Sequence, residues 1–395
     1  MQSSPKGMAM IRLCLAWLSS AIVHSVHNSA TWARRFPLAI PSALPGLIRL
    51  CPHKRAPNQP RLRSWLVVGF AFACAAPTQA FADPVADFYR GKTISVLIGV
   101  GAGGEYDAIA RLVARYIGHY IPGHPTLVAQ NMTGAAGLKL MNYLATLAPH
   151  DGTVIGMVQE SLPSLQAVGM QGVQFDSAKF NWLGAIAPID ETIAVLSTTG
   201  VTTIEGAREK EIITGATARG SITYAFPALL NELFSTRLKL VTGYNGGTEI
   251  NLAMERGEVE ARDNTWSSWK ATKPAWLREH KISIIVQSGP RAADLDAPLV
   301  TDLSKDPDQR HLIDLILSGC ALGRPLTITP GVPAERVAAL RAAFDETVRD
   351  TVFLADAKAL NFDVNPIHGV DMQRTIEQIL NVPSGVARQA KHLLE

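Results

Sequence analysis

Acidic residues are absent from the first 82 positions of this 395-residue chain, although nine basic ones lie there: Lys6, Arg12, Arg34, Arg35, Arg49, Lys54, Arg55, Arg61 and Arg63. Cysteine is also scarce. Of the four in the chain, Cys14, Cys51 and Cys74 fall in the same stretch. Beyond it only Cys320 remains, which excludes an intramolecular disulfide there and leaves the fold to its apolar core. The histidines past residue 82 (His119, His124, His150, His280, His311, His368 and His392) are scattered, with no H-E-x-x-H or other paired spacing. No metal site is expected from them. A G-x-S-x-G nucleophile elbow is missing as well. Cys320, beside Leu317, Ala321 and Leu322, reads as a small buried hydrophobe rather than a nucleophile served by His311. Nothing here points to catalysis.

The basic N-terminal stretch ends in the pattern of a secretory signal. Lys54, Arg55, Arg61 and Arg63 precede an apolar run at 65–76, and Ala80-Phe81-Ala82 forms an A-x-A cleavage site that puts the mature terminus at Asp83. The apolar run is too short to span a membrane. Cys74 makes a poor lipidation site, because Ala71-Phe72-Ala73 lacks an aliphatic residue. The residues upstream fit either a start codon assigned too early or a long, processed leader. Removing positions 1–82 takes nine basic residues from 37 and leaves 28 against 34 acidic, a net charge near −6. The whole-chain pI of 8.6 therefore implies no nucleic-acid partner.

From Asp83 onward, strand-like runs alternate with amphipathic ones, which predicts an α/β fold of mostly parallel sheets flanked by helices. Strands are expected at 93–100, 126–130, 153–158, 193–197, 212–216, 238–241, 259–261 and 282–287. Helical periodicity is carried by Ile109, Leu112, Val113 and Ile117, by Leu138, Met141, Leu144 and Leu147, and by Val337, Leu340, Phe344 and Val348 behind Pro333. Four glycine-containing loops lead into helical segments: "GAGGEYDAIA" (101–110), "TGAAGLKLMN" (133–142), "ARGSITYAFP" (218–227) and "TGYNGGTEIN" (242–251). Glycine lets backbone approach a ligand, and the free N–H groups of a helix start attract anions.

Gly99, Gly101 and Gly104 match the dinucleotide fingerprint G-x-G-x-x-G. That site also needs an acid about 20 residues later to hold the ribose. Between Asp107 and Asp151 there is no Asp or Glu. The match is a coincidence, and no cofactor is expected. An exported α/β protein with anion-suited helix starts and no catalytic set describes a binding protein.

The blocks "ISVLIGVGAGGEYDAIARLVARYI", "NMTGAAGLKLMNYLATLAPHDGTVIGMV", "VTGYNGGTEINLAMERGEVEA" and "PGVPAERVAALRAAF" resemble successive segments of the Bug-type periplasmic receptors of tripartite tricarboxylate transporters. The resemblance runs over about 88–380. It implies a periplasmic, two-domain Venus-flytrap protein without enzymatic activity, its domains formed by 83–190 with 317–395 and by 191–316. It implies a small organic anion as ligand, permease subunits as partners and a monomeric state. Receptors for another transporter class or a sensor kinase, and a secreted enzyme on the same fold, are the alternatives. Carried onto this chain, the first-domain clamp is Gly103, Gly104 and Asp107 with Gly134, Ala135, Ala136 and Gly137 opposite. The second-domain contacts are Arg219, Gly220, Ser221, Thr223 and Tyr244, Asn245, Gly246, Gly247 and Thr248. Asp107 is expected to fix its loop rather than touch the anion. Glu105 places a carboxylate where relatives carry small neutral residues. It is balanced by a cation, with Arg219 nearest by loop order, or meets the ligand, or faces solvent. Tyr106, Tyr244 and Trp266 are candidates for an apolar wall, with core the default for Trp266.

Mass spectrometry of exported protein should find Asp83 as its first residue; an intact Met1 or a lipidated Cys74 would contradict the signal reading.

Overall fold

Ile94, Val96, Leu97 and Ile98 are all buried in β1 (Thr93–Ile98), the saturation expected of a strand covered on both faces. The computed structural model describes residues 83–395, so the leader, its apolar run and the cleavage site lie outside the described residues. After β1 come β2 (Thr126–Asn131), β3 (Val154–Met157), β4 (Asn181–Ala185), β5 (Glu191–Leu196), β6 (Ile212–Gly215), β7 (Leu238–Val241), β8 (Ala261–Thr265), β9 (Ile282–Gln287), β10 (Leu326–Ile328) and β11 (Ile367–His368). They form two helix-flanked sheets, ordered β11-β4-β10-β3-β1-β2 and β7-β6-β8-β5-β9.

Both sheets are mixed rather than mostly parallel. β1 runs parallel to β2 and β3, and β6 to β7 and β8. The chain leaves the first sheet after β4 and returns with β10, which enters from the other end and lies antiparallel between β3 and β4. β5, the first strand of the second sheet, is antiparallel to β8 and β9 for the same reason. A chain that changes sheets twice reverses its direction each time it arrives. The short β4, β10 and β11 lacked enough apolar alternation to stand out in sequence.

Expected helices form where the periodicity placed them: Glu105–Ile117 buries Ile109, Leu112, Val113 and Ile117, and Ala334–Thr347 buries Val337, Leu340 and Phe344. Leu147 is an exception, exposed just past the end of Leu138–Thr146. One apolar cluster runs from Leu140 and Trp182 through Ile193 to Phe226 and Leu312, so the two sheets share a core. The last helix, Ser384–Leu394, packs on Ile222–Phe234 and Pro307–Ile316. Among the described residues no helix is long and apolar enough to cross a membrane.

Gly184 in β4 has a left-handed φ of 142°, and a Cβ there would lie 2.4 Å from the Phe344 ring and 2.6 Å from the Ile367 carbonyl. Overpacking and backbone strain then act together, so Gly184→Ala should lower the urea-unfolding free energy by about 3 kcal/mol.

Candidate functional site

All four glycine loops lie at the C-terminal ends of parallel strands, β1, β2, β6 and β7, where α/β proteins bind ligands. The helices begin at Glu105, Leu138, Ile222 and Gly247. Asp107 fixes the first loop. Its carboxylate accepts from the Gly103 N–H at 3.0 Å, Arg111 Nε at 2.9 Å and Asn131 Nδ2 at 2.9 Å. Burial opposes its ionisation, but these donors hold its pKa below the usual range. Asp107 and Gly103 thus shape the loop without lining a cavity. The Gly101 N–H donates to the Asn245 carbonyl at 3.1 Å, and a Cβ on Gly101 would lie 3.2 Å from that oxygen. The fingerprint glycine serves contact between loops of the two sheets.

Two adjoining cavities separate the loops. The first, of about 170 Å³, is walled by Gly134, Ala135, Ala136 and Gly137 on one side and Gly243, Tyr244 and Asn245 on the other. Its lining contains no Asp, Glu, Lys, Arg or His. The four residues 134–137 have φ of 140°, 49°, 52° and 84°; the two alanines carry strain that glycine would not. Gln159 and Thr217 belong to this wall and to that of the second cavity, of about 80 Å³.

The second cavity is lined by Gly104, Glu105, Ser221, Thr223, Gly246, Gly247 and Thr248 from the sequence-derived set. Ser221 Oγ donates to the Ala218 carbonyl at 2.7 Å and meets Thr217 and Thr223 in a hydroxyl group cluster. Arg219 and Gly220 do not line either cavity. Arg219 is exposed, bonds the Glu395 carbonyl and lies over the Tyr224 ring. Gly220 faces Leu165 and Met170. Trp266 donates to Asp294 outside both cavities, whereas Tyr106 lines the second one.

Glu105 is neither in solvent nor served by Arg219. It is 7% exposed and accepts from Arg324 Nη2 at 2.7 Å, Thr265 Oγ1 at 2.6 Å and Ser267 Oγ at 2.6 Å. Burial opposes its charge, yet Arg324 and the two hydroxyls outweigh it and keep its carboxyl below the usual range. Arg324 is the missing cation. It arrives just before β10, stacks 4.1 Å from the Tyr106 ring centre, and lies 3.4 Å from Glu160 and 3.8 Å from Glu191. Arg262 is equally buried but spends its donors on neutral oxygens of Gly247, Asn251, Asn264 and Asp263. Desolvation lowers its pKa to about 10.

Sequence reasoning missed Gln159, Glu160, Glu191, Arg262, Asp263, Asn264 and Arg324. One signal existed. The expected strand 259–261 stopped short of Arg262-Asp263-Asn264, but β8 occupies Ala261–Thr265 with every residue buried. These three polar residues of a buried strand all line the second cavity.

No protein-family model and no curated protein matches the chain. Solved structures do. The periplasmic binding protein BugD is 16% identical with a TM-score of 0.62, over 78% of this chain and 99% of that one. The fold is that of the periplasmic binding proteins. MatC of Rhodopseudomonas palustris with bound malate is 16% identical with a TM-score of 0.59, over 77% and 99% of the two chains. Rpa4515 of R. palustris with adipate is 18% identical with a TM-score of 0.60, over 76% and 97%.

Burial raises the pKa of Glu160, raises that of Glu191 well above the usual range, and pushes Asp263 up to about 7 and Asp190 to about 6. A carboxyl raised on folding stabilises fully below its unfolded pKa, and that stability is lost as pH rises through the folded value. Glu105 and Asp107, held low, act in the opposite sense and only at more acid pH. Between pH 5 and 7.5 the unliganded protein should therefore lose stability as pH rises. Asp263→Asn should reduce that slope by up to about 1.4 kcal/mol per pH unit in urea unfolding. An unchanged slope would mean Asp263 is ionised throughout.

Proposed function

We propose that this chain is an exported, periplasmic solute receptor of the Bug type. It binds a small organic carboxylate between its two sheets and hands it to the permease of a tripartite tricarboxylate-type transporter. The glycine-lined cavity carries the reading. It sits at strand ends, is free of Asp, Glu, Lys, Arg and His, and is walled by the backbone of residues 134–137 just before the helix that starts at Leu138. Such a wall attracts a carboxylate by dipoles and amide donors rather than by counter-charge. Malate and adipate, present in two structural neighbours, are both dicarboxylates. The sequence blocks that resemble Bug receptors supply the same loops.

In this reading 83–190 with 317–395 forms one binding half and 191–316 the other, and a monomer closes on its ligand without converting it. The hydrogen bonds from Thr265 and Ser267 to Glu105 join these two halves.

A panel of mono-, di- and tricarboxylates, with and without hydroxyl and amino substituents, tests the proposal. A member present at 100 times its Kd should stabilise the folded chain by about 2.7 kcal/mol, read as a rise in melting temperature, with the ligand recovered unchanged. No shift from any acid, or consumption of one, would overturn it.

A further inference from the structure

Four carboxyl groups (Glu105, Glu160, Glu191 and Asp263) and two guanidinium groups (Arg262 and Arg324) line the second cavity, each residue no more than 7% exposed. Glu105 is paired with Arg324 and receives two hydroxyl donors as well. The remaining side chains are not satisfied. Glu160 Oε1, Glu191 Oε1 and both Asp263 carboxylate oxygens have no hydrogen-bond partner, and neither do Arg324 Nε and Asn264 Nδ2. Four orphaned acceptors face two orphaned donors, so the wall lacks donors. The charge tells the same story. With every group ionised the cavity holds two negative charges in excess, an arrangement that burial makes costly. Glu191 and Asp263 act on one another, and a single proton shared between them removes one of the two. One negative charge remains, together with acceptors on Glu160 and Asp263.

We propose that the solute carries an ammonium group that seats against Glu160, Glu191 and Asp263, while its carboxylate lies on the neighbouring glycine loops: the ligand is a small amino-carboxylate zwitterion. A primary ammonium brings one positive charge, which cancels the remaining negative one, and enough N–H donors for the open acceptors on Glu160 and Asp263. The adjoining walls allow one molecule to reach both. Gln159 and Thr217 are common to the two cavities, so they mark the junction. A plain dicarboxylate would bring a second anion beside Glu160 and Asp263, where like charges in a partly dry site repel strongly. The two arginines do not reverse this, because Arg262 already makes four hydrogen bonds to neutral oxygens and Arg324 faces three carboxylates.

The inference rests on the reading of this cleft as a solute site, and its test separates the two. Matched pairs are titrated into the full chain at pH 7.5 by calorimetry: carboxylates of three to six carbons, each with and without one amino group, alongside the alkylamines of the same length. The aminated acid of at least one pair should bind tenfold or more tighter than its unsubstituted partner. The double variant Glu160→Gln with Asp263→Asn should bring that ratio towards one; a ratio kept at tenfold in the folded variant would overturn the assignment of the ammonium to these carboxyl groups. Unsubstituted acids binding as well as or better than every aminated partner would overturn the inference and leave the carboxylate receptor standing. Alkylamines binding as tightly as the amino acids would overturn the carboxylate reading and keep the ammonium subsite. Silence from every aminated acid and amine would overturn the inference itself.

Discussion

The buried pair of Arg324 and Glu105 is the contact through which the rest of the site is arranged. Glu105 stands in the first turn of the helix after β1, Arg324 just before β10, and the hydroxyls of Thr265 and Ser267 reach the same carboxylate from the second sheet. An ion pair taken out of water gains little by itself, but removing either partner leaves an uncompensated buried charge costing about 3–5 kcal/mol. The pair therefore dictates where its neighbours stand. Tyr106 lies under the guanidinium, and the Glu160 amide donates to the Tyr106 hydroxyl at 3.4 Å. The first glycine loop is held from its other side by Asp107.

Charge explains the contrast between the two cavities. Around residues 134–137 the wall is backbone and small side chains, with positive φ sustained even at Ala135 and Ala136. Strain of about 1–2 kcal/mol per such alanine persists only when the surroundings impose it, and loops that hold ligands are where it collects. Around Arg324 the wall is made of ionisable groups that share too few donors. One wall holds no Asp, Glu, Lys, Arg or His side chain and the other holds six. Neither property is visible in the net charge of the chain.

Local features of the sequence were good guides. The glycine loops, the helix starts behind them and the strands 238–241 and 282–287 follow from turn chemistry and apolar runs, which act between near neighbours. Asp107 holds its loop from inside the first turn, accepting from the Gly103 N–H, while Gly104 rather than Asp107 takes the helix-capping position. The G-x-G-x-x-G match also dissolves on local grounds, because the acid it requires is missing. By contrast, Arg219 looked like the partner of Glu105 only because both belonged to glycine loops. Its side chain turns to the C-terminus, and a residue 219 positions from Glu105 takes the role.

By itself the sequence determined an α/β chain with four glycine-bearing helix starts, because propensity, periodicity and turn chemistry are short-range. Tertiary structure alone decided that the sheets are mixed, since strand direction depends on where the chain changes sheets. It also decided that Arg262-Asp263-Asn264 belong to a buried strand, beyond the expected 259–261. Which charges are neutralised was settled there as well. Glu105, Glu160, Glu191, Asp263 and Arg324 come from five separate stretches, and the energy of a buried charge depends on what surrounds it in space.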